Sequence, residues 1–346
     1  MDKRVIFAVA GAGKTTRIVD NLSTEKRSLI VTYTNANYQN LKRKINTKFN
    51  DEWPANITLM TYFTFLYSFC YKPFLSDVVK AKGIDYSGTP SVYLAKNVPE
   101  FYMNPYGYLY SNRIACLIQT QREVDSVKDR IKTYFDEFII DEIQDIAGRD
   151  FGFLELLMST EISMLFVGDF YQHTFDTSRD GNVNSSLFRD KQQYEARFTR
   201  QGILIDKDSL SNSWRCSKSL CDFVRDSLNI PIYSNRAEED DTTISFLINP
   251  DDVKEVINDE SIIKLHYQNG ANHGAFHRNW GDTKGIDHYN DVCVLLNPNT
   301  MQKYRSGQLQ QLPPTTLNKL YVALTRARGN LYIAEERLAN QLETNN

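Results

Sequence analysis

The chain has 346 residues, with 40 Lys and Arg against 43 Asp and Glu and a formal net charge of −3. At 41% hydrophobic and 24% charged residues it has the balance of a globular protein of two or three domains, which excludes wholesale disorder. It also lacks the run of roughly 18 apolar residues that a membrane span needs, and its near-neutral charge excludes a uniformly basic nucleic-acid coat while leaving a local basic groove open.

Residues 4–10 are short, apolar and rich in Val, Ile and Phe, and read as a buried strand. Ala10-Gly11-Ala12-Gly13-Lys14-Thr15-Thr16 follows at once and leads into a helical stretch. Strand, glycine loop and helix form the context of a Walker A loop. Glycines let backbone N–H groups approach phosphate oxygens, and the helix N-terminus favours their charge. Lys14 is then expected on the phosphates of ATP and Thr15 on Mg²⁺. The alternative is an ordinary glycine-rich turn. Lys14 also interrupts the opening apolar stretch, so no secretory signal is expected.

Strand-like runs follow at 27–33 and 57–60, and a Tyr-rich insertion at 67–130 reads as a small packed subdomain in preference to an aromatic binding platform. Lys42, Arg43, Lys44 and Lys48 could line a phosphate groove or form a solvated helix face. The strand at 137–141 ends in Asp141-Glu142, a pair suited to hold Mg²⁺ and to polarise an attacking water. Another strand is expected at 163–168, then a long polar loop at 176–204. Beyond it, strands are expected near 243–248, 262–267, 291–296 and 331–335. Glu238–Asp241 reads as a solvated acidic loop. His273 and His277 stand four apart around Gly274 with no evident partner, and read as structural. The cysteine spacing fits neither a disulfide framework nor a zinc ribbon, so reduced thiols in a cytoplasmic protein are expected. Strands alternating with helices indicate an α/β fold with parallel sheets.

The continuation Asp141-Glu142-Ile143-Gln144-Asp145 makes the chain resemble superfamily 1 helicases of the UvrD/Rep type. Further segments resemble that family's motifs in order: Val31–Ala36 and Met60–Phe65, then Gly168-Asp169-Phe170-Tyr171-Gln172, then Ser213-Trp214-Arg215-Cys216-Ser217. Asp282–Asp287 and Leu320–Arg328, which includes Ala323-Leu324-Thr325-Arg326, complete the series. The resemblance implies two RecA-like P-loop NTPase lobes, at 1–200 and 205–340, with 67–130 as a small 1B-like insertion. It implies Glu142, Gln172, Arg215 and Arg326 as catalytic residues. It gives Trp214 an adenine-stacking role, puts Gly285 and Asp287 beside the nucleotide, and puts Tyr33, Thr34, Thr61, Thr64 and Phe175 on nucleic acid.

This chain departs from the family pattern at Ala8, Phe63, Phe175, Thr177 and Asp287. Only residues 216–281 separate the fourth and fifth motifs, so the family's 2B subdomain is expected to be absent or vestigial, and the family's adenine-recognising glutamine before the Walker loop is not expected. The expected activity is ATP-dependent 3′ to 5′ movement on single-stranded DNA, with RNA not excluded, by closure and release of two lobes around ATP. The alternative is an ATP-switched binding subunit that regulates a partner such as a nuclease or a repair or defence factor. A small-molecule kinase would share the Walker loop but not the later motifs.

Overall fold

The computed structural model describes residues 1–91, 93–178, 180–237, 242–286 and 288–343. Glu238–Asp241, Asp287 and the polar tail at 344–346 lie outside the described residues. The chain divides into two compact units. The first comprises Met1–Phe7, Lys14–Gly168 and Phe175–Asp206, and the second Ala8–Gly13, Asp169–Thr174 and Lys207–Asn346.

In the first unit the strands are β1 (Lys3–Phe7), β2 (Ser28–Thr32) and β3 (Ile57–Thr61), the short β4 (Gly83–Asp85) and β5 (Tyr108–Tyr110), then β6 (Glu137–Asp141), β7 (Ser163–Gly168) and β8 (Leu204–Asp206). Six of them form one parallel sheet in the order β3-β2-β6-β7-β1-β8. Every residue of β2 is buried, as expected of a parallel strand covered on both faces. The first strand is shorter than the sequence suggests, because Ala8–Ala10 leave the sheet and pack in the core of the second unit.

The stretch 176–204, expected as a loop, contains the helix Lys191–Arg200 and leads into β8. The helix buries Tyr194 and Phe198, whose rings pack on Phe7 at 5.7 and 5.8 Å and on Phe151 at 5.6 and 5.7 Å. Asp190 caps its N-terminus, accepting from the Gln193 N–H at 2.8 Å. Surrounding polar residues hide an i, i+4 aromatic pair that forms the apolar part of this helix's buried face, beside the buried Glu195.

The insertion is tied down by charge. Arg113 is fully buried and donates to Asp180 through Nε at 3.2 Å and Nη2 at 3.0 Å, with its guanidinium 3.6 Å from the Phe101 ring centroid. Arg149 donates to the same carboxylate. The two arginines hold the Asp180 carboxyl below its ordinary range against the opposing effect of burial. The basic cluster after β2 also has defined partners. Lys48 donates to the carbonyls of Val19, Asp20 and Leu22, closing the C-terminus of the helix Lys14–Asn21, and Lys44 donates to the Thr16 hydroxyl at 2.8 Å.

The second unit adds β9 (Asn212–Ser213) and β10 (Tyr233–Ser234) as a small pair, then β11 (Ile244–Leu247), β12 (Ile263–His266), β13 (His277–Asn279), β14 (Val292–Leu296) and β15 (Leu331–Glu335). The last five form a parallel sheet in the order β11-β15-β14-β12-β13. β13, a three-residue edge strand, is not evident in the sequence. All five cysteines are buried and unbridged. Among the described residues no helix is long and apolar enough to cross a membrane.

Asp150, in the helix Gly148–Leu157, is fully buried, and burial raises its carboxyl from 3.8 to about 7, partly offset by the hydroxyls of Thr177 and Tyr62. The folded chain therefore holds a proton there that the unfolded chain releases. Stability should fall as pH rises from about 4 to about 7 and level off above. Asp150→Asn should remove that decline, so that urea denaturation finds the variant gaining on the parent between pH 5 and pH 8 by on the order of 3 kcal/mol.

Candidate nucleotide and nucleic-acid site

The loop after β1 turns through two glycines with positive φ, Gly11 at 71° and Gly13 at 88°, which side-chain-bearing residues rarely adopt. Gly11 also has no room for a side chain. A Cβ there would stand 2.6 Å from the Arg215 Cβ and 2.7 Å from the Ser213 Oγ. The Trp214 N–H donates to the Gly11 carbonyl at 3.0 Å, so Ser213-Trp214-Arg215 lies directly against the loop within the second unit.

In the first unit, Lys14 opens the following helix with its side chain largely buried, Nζ standing 3.9 Å from Glu142 Oε1. Glu142 has φ 57° and ψ 49°, in the left-handed region unusual for a residue with a Cβ. Three contacts hold it. The Asp141 carboxylate accepts from the Glu142 N–H at 3.0 Å, Gln144 Nε2 donates to Glu142 Oε2, and Lys14 faces the other oxygen. Gln144 fits because Gly168 ends β7 without a side chain; a Cβ there would meet Gln144 Oε1 at 2.2 Å. Asp141 is 2% exposed, Thr15 is half-buried and Thr16 is exposed. Hydroxyl and carboxylate oxygens are the hard donors that suit Mg²⁺.

The second unit contributes a buried polar hub. The Tyr321 hydroxyl accepts from the Ala10 N–H at 2.9 Å and donates to Asp169 Oδ2 at 3.0 Å. Burial, reinforced by the Asp169 charge, pushes the phenol well above its ordinary range and keeps it a donor. The other oxygen of Asp169 accepts from the Tyr171 N–H at 3.1 Å, and Gln172 is buried in the same 3₁₀ turn, Phe170–Gln172. Arg215 Nη1 donates to the Thr325 carbonyl at 3.0 Å. Arg326 is fully buried, with Nε bonded to the Val322 carbonyl and Nη1 to those of Thr283 and Ile286. It thus clamps its own helix end to the segment leading to Gly285, which has φ 81°. Trp214 presents an indole that is 66% exposed. Asp287 lies outside the described residues.

The hydroxyls expected on nucleic acid are engaged locally. Thr34 caps the helix Asn35–Lys48 by accepting from the Asn37 N–H at 3.1 Å. Thr61 caps the turn after β3 and shares a 2.8 Å hydrogen bond with Thr64. Tyr33 packs edge-on to Phe63 at 6.0 Å, and Phe63 to Tyr86 of the insertion at 5.2 Å, with Tyr86 itself exposed. Phe175 is partly exposed, whereas Thr177 is buried and accepts from the Ala147 N–H. Sequence reasoning gave no role to Asp169, Tyr321 or Gln144. All three lie inside recognisable motifs; Tyr321 meets Ala10 and Asp169 from far along the chain, whereas Gln144 meets Glu142 two residues away across a tight turn.

No family model matches the chain, and no curated protein matches it. Solved structures do. The PRRSV helicase is similar at TM-score 0.48 with 12% identity, over 96% of this chain and 52% of that one. Arterivirus nonstructural protein 10, a helicase in complex with DNA, is similar at TM-score 0.52 with 14% identity, over 99% of this chain and 63% of that one. The chain thus spans less than two thirds of the length of either. What the chain shares with the arterivirus protein is the fold, α/β with RecA-like parallel sheets.

Tyr321→Phe should strand the Ala10 N–H and the Asp169 carboxylate in the interior. It should cost about 1–3 kcal/mol in urea denaturation, more than Tyr332→Phe, whose ring is only partly buried.

Proposed function

We propose that the chain is an ATP-dependent helicase or translocase that moves on single-stranded nucleic acid, DNA in the first instance, in the manner of the UvrD/Rep branch. The observation that supports this best is the pairing of Lys14 with a Glu142 held in a left-handed backbone by Asp141, Gln144 and Lys14. A carboxylate fixed this firmly beside a phosphate-loop lysine suits a group that orients and deprotonates an attacking water.

The residues present fit ATP and Mg²⁺. The positive-φ glycines present backbone N–H groups, Lys14 supplies charge, and Thr15 with Asp141 supplies oxygen donors for the ion. Bound Mg²⁺ would neutralise phosphate charge as the terminal phosphoryl group is transferred. Glu142 takes the proton of the attacking water. Lys14 exchanges its contact with Glu142 for phosphate, which frees the carboxylate for that task. Trp214 offers a ring for the base, and Arg215, planar and permanently charged, suits the developing phosphoryl charge. Arg326, expected as a second catalytic arginine, donates here to the carbonyls of Val322, Thr283 and Ile286.

The DNA in the arterivirus complex makes nucleic acid the first ligand to test. Tyr33, Phe63, Tyr86 and Phe175 offer rings on which bases of any sequence can stack. A second reading, an ATP-switched binding subunit, draws on the local engagement of Thr34, Thr61 and Thr64 and the burial of Thr177.

ATP hydrolysis should rise several-fold with single-stranded DNA or RNA. A flat response alongside nucleotide-dependent binding would favour the switch. Glu142→Gln should retain ATP binding, measured with a fluorescent analogue, and lower turnover by about 10²–10⁴-fold. Undiminished turnover would remove Glu142 from the role of base.

A further inference from the structure

Three of the five histidines converge in the second unit, just ahead of the Asp282–Asp287 segment. His266 ends β12, His273 ends the 3₁₀ turn Gly270–His273, and His277 opens β13. The sequence presents His273 and His277 as a pair without a partner. The fold supplies one, His266, because β12 and β13 run parallel and side by side. One nitrogen from each of the three rings lies within 4.8 Å of the others. His266 Nε2 stands 2.9 Å from His277 Nδ1, and the His266 and His273 rings stack at 4.3 Å. His266 is fully buried, His277 nearly so, and His273 half-buried.

We propose that His266, His273 and His277 form a binding site for a divalent transition-metal ion, Zn²⁺ by the chemistry of its donors. Imidazole nitrogen suits Zn²⁺ and its neighbours, whereas Mg²⁺ prefers oxygen. Three imidazoles with a fourth position left to water is an established zinc arrangement. Zinc–nitrogen bonds of about 2.0–2.1 Å at a tetrahedral angle put the nitrogens about 3.3 Å apart. The 2.9 Å between His266 Nε2 and His277 Nδ1 lies below that value, and the 4.8 Å that bounds the cluster lies above it. Binding would part His266 and His277 by a few tenths of an ångström and draw in His273, which sits on a turn.

A second observation points the same way. His266 directs Nε2 into the cluster, and its Nδ1 faces Glu336 Oε1 at 3.4 Å. A carboxylate at the far nitrogen of a ligating histidine fixes the tautomer, holding the proton on Nδ1 and leaving the Nε2 lone pair for the ion. The ion's role would be structural. β13 is a three-residue edge strand paired only with β12. Directly after it come Trp280 and the turn Gly281–Thr283, whose Thr283 carbonyl accepts from Arg326 at 3.2 Å. Bridging β12, the 270–273 turn and β13 would brace the segment that Arg326 grips.

The full chain, stripped with chelator and desalted, should bind one equivalent of Zn²⁺ by calorimetry without nucleotide. Co²⁺ as probe should give the visible absorption of a four-coordinate site. His273→Ala, on the half-exposed turn, should fold normally by circular dichroism and lose at least tenfold in affinity. Glu336→Gln should lose about 10–100-fold. Absence of binding to the parent chain, or equal affinity in His273→Ala, would overturn the proposal.

Discussion

The second unit depends on one phenol. Tyr321 accepts from the Ala10 N–H and donates to Asp169, joining groups 311 and 152 residues away in the chain. Both partners are buried, so neither can fall back on water, and an unmet hydrogen bond there costs more than a met one contributes. The helix Pro314–Leu324 that carries Tyr321 also ends in Thr325 and Arg326. The Thr325 carbonyl accepts from Arg215, and Arg326 donates to the carbonyls of Thr283 and Ile286. One helix end therefore sets the glycine loop, both arginines and the segment around Gly285.

In the first unit the governing constraint is backbone strain. A left-handed Glu142 costs on the order of 1–3 kcal/mol and persists only where its surroundings over-determine it. Asp141 fixes its N–H, Gln144 its carboxylate and Lys14 its charge, and the missing side chain of Gly168 admits Gln144. A buried lysine–carboxylate pair adds little net stability by itself, since desolvation offsets attraction. What it contributes here is placement, because it leaves the carboxylate few alternative positions.

The sequence shows most plainly those elements whose chemistry is local. Strands 137–141 and 331–335 coincide with β6 and β15, because short apolar runs between polar breaks have one reading. The glycine loop, Asp141-Glu142 and the arginines stand out because few residue types can do their work. The helix Lys191–Arg200 was hidden because the apolar part of its buried face is only Tyr194 and Phe198. The edge strand β13 was hidden because three mostly polar residues carry no period. The histidine cluster and the Tyr321 hub were hidden for another reason: their members meet only through parallel strand pairing and remote packing, which no spacing along one segment encodes. Lys44 and Lys48 show the reverse, a charge cluster whose members bind a hydroxyl and a helix end.

The interleaving of the two units bears on how the chain comes to be folded. Six residues, Ala8–Gly13, belong by packing to a unit whose other members begin at Asp169. On a ribosome they emerge well before the residues that cover them, because the core that receives Ala8, Val9, Ala10 and Ala12 includes Leu324, Leu331 and Ile333. The first sheet can assemble once β8 has appeared, but the glycine loop must wait, its apolar residues uncovered, until those later residues are made. The loop is thus a late product of folding, and a chain cut short before Tyr321 would carry every Walker residue without the partner that receives Ala10.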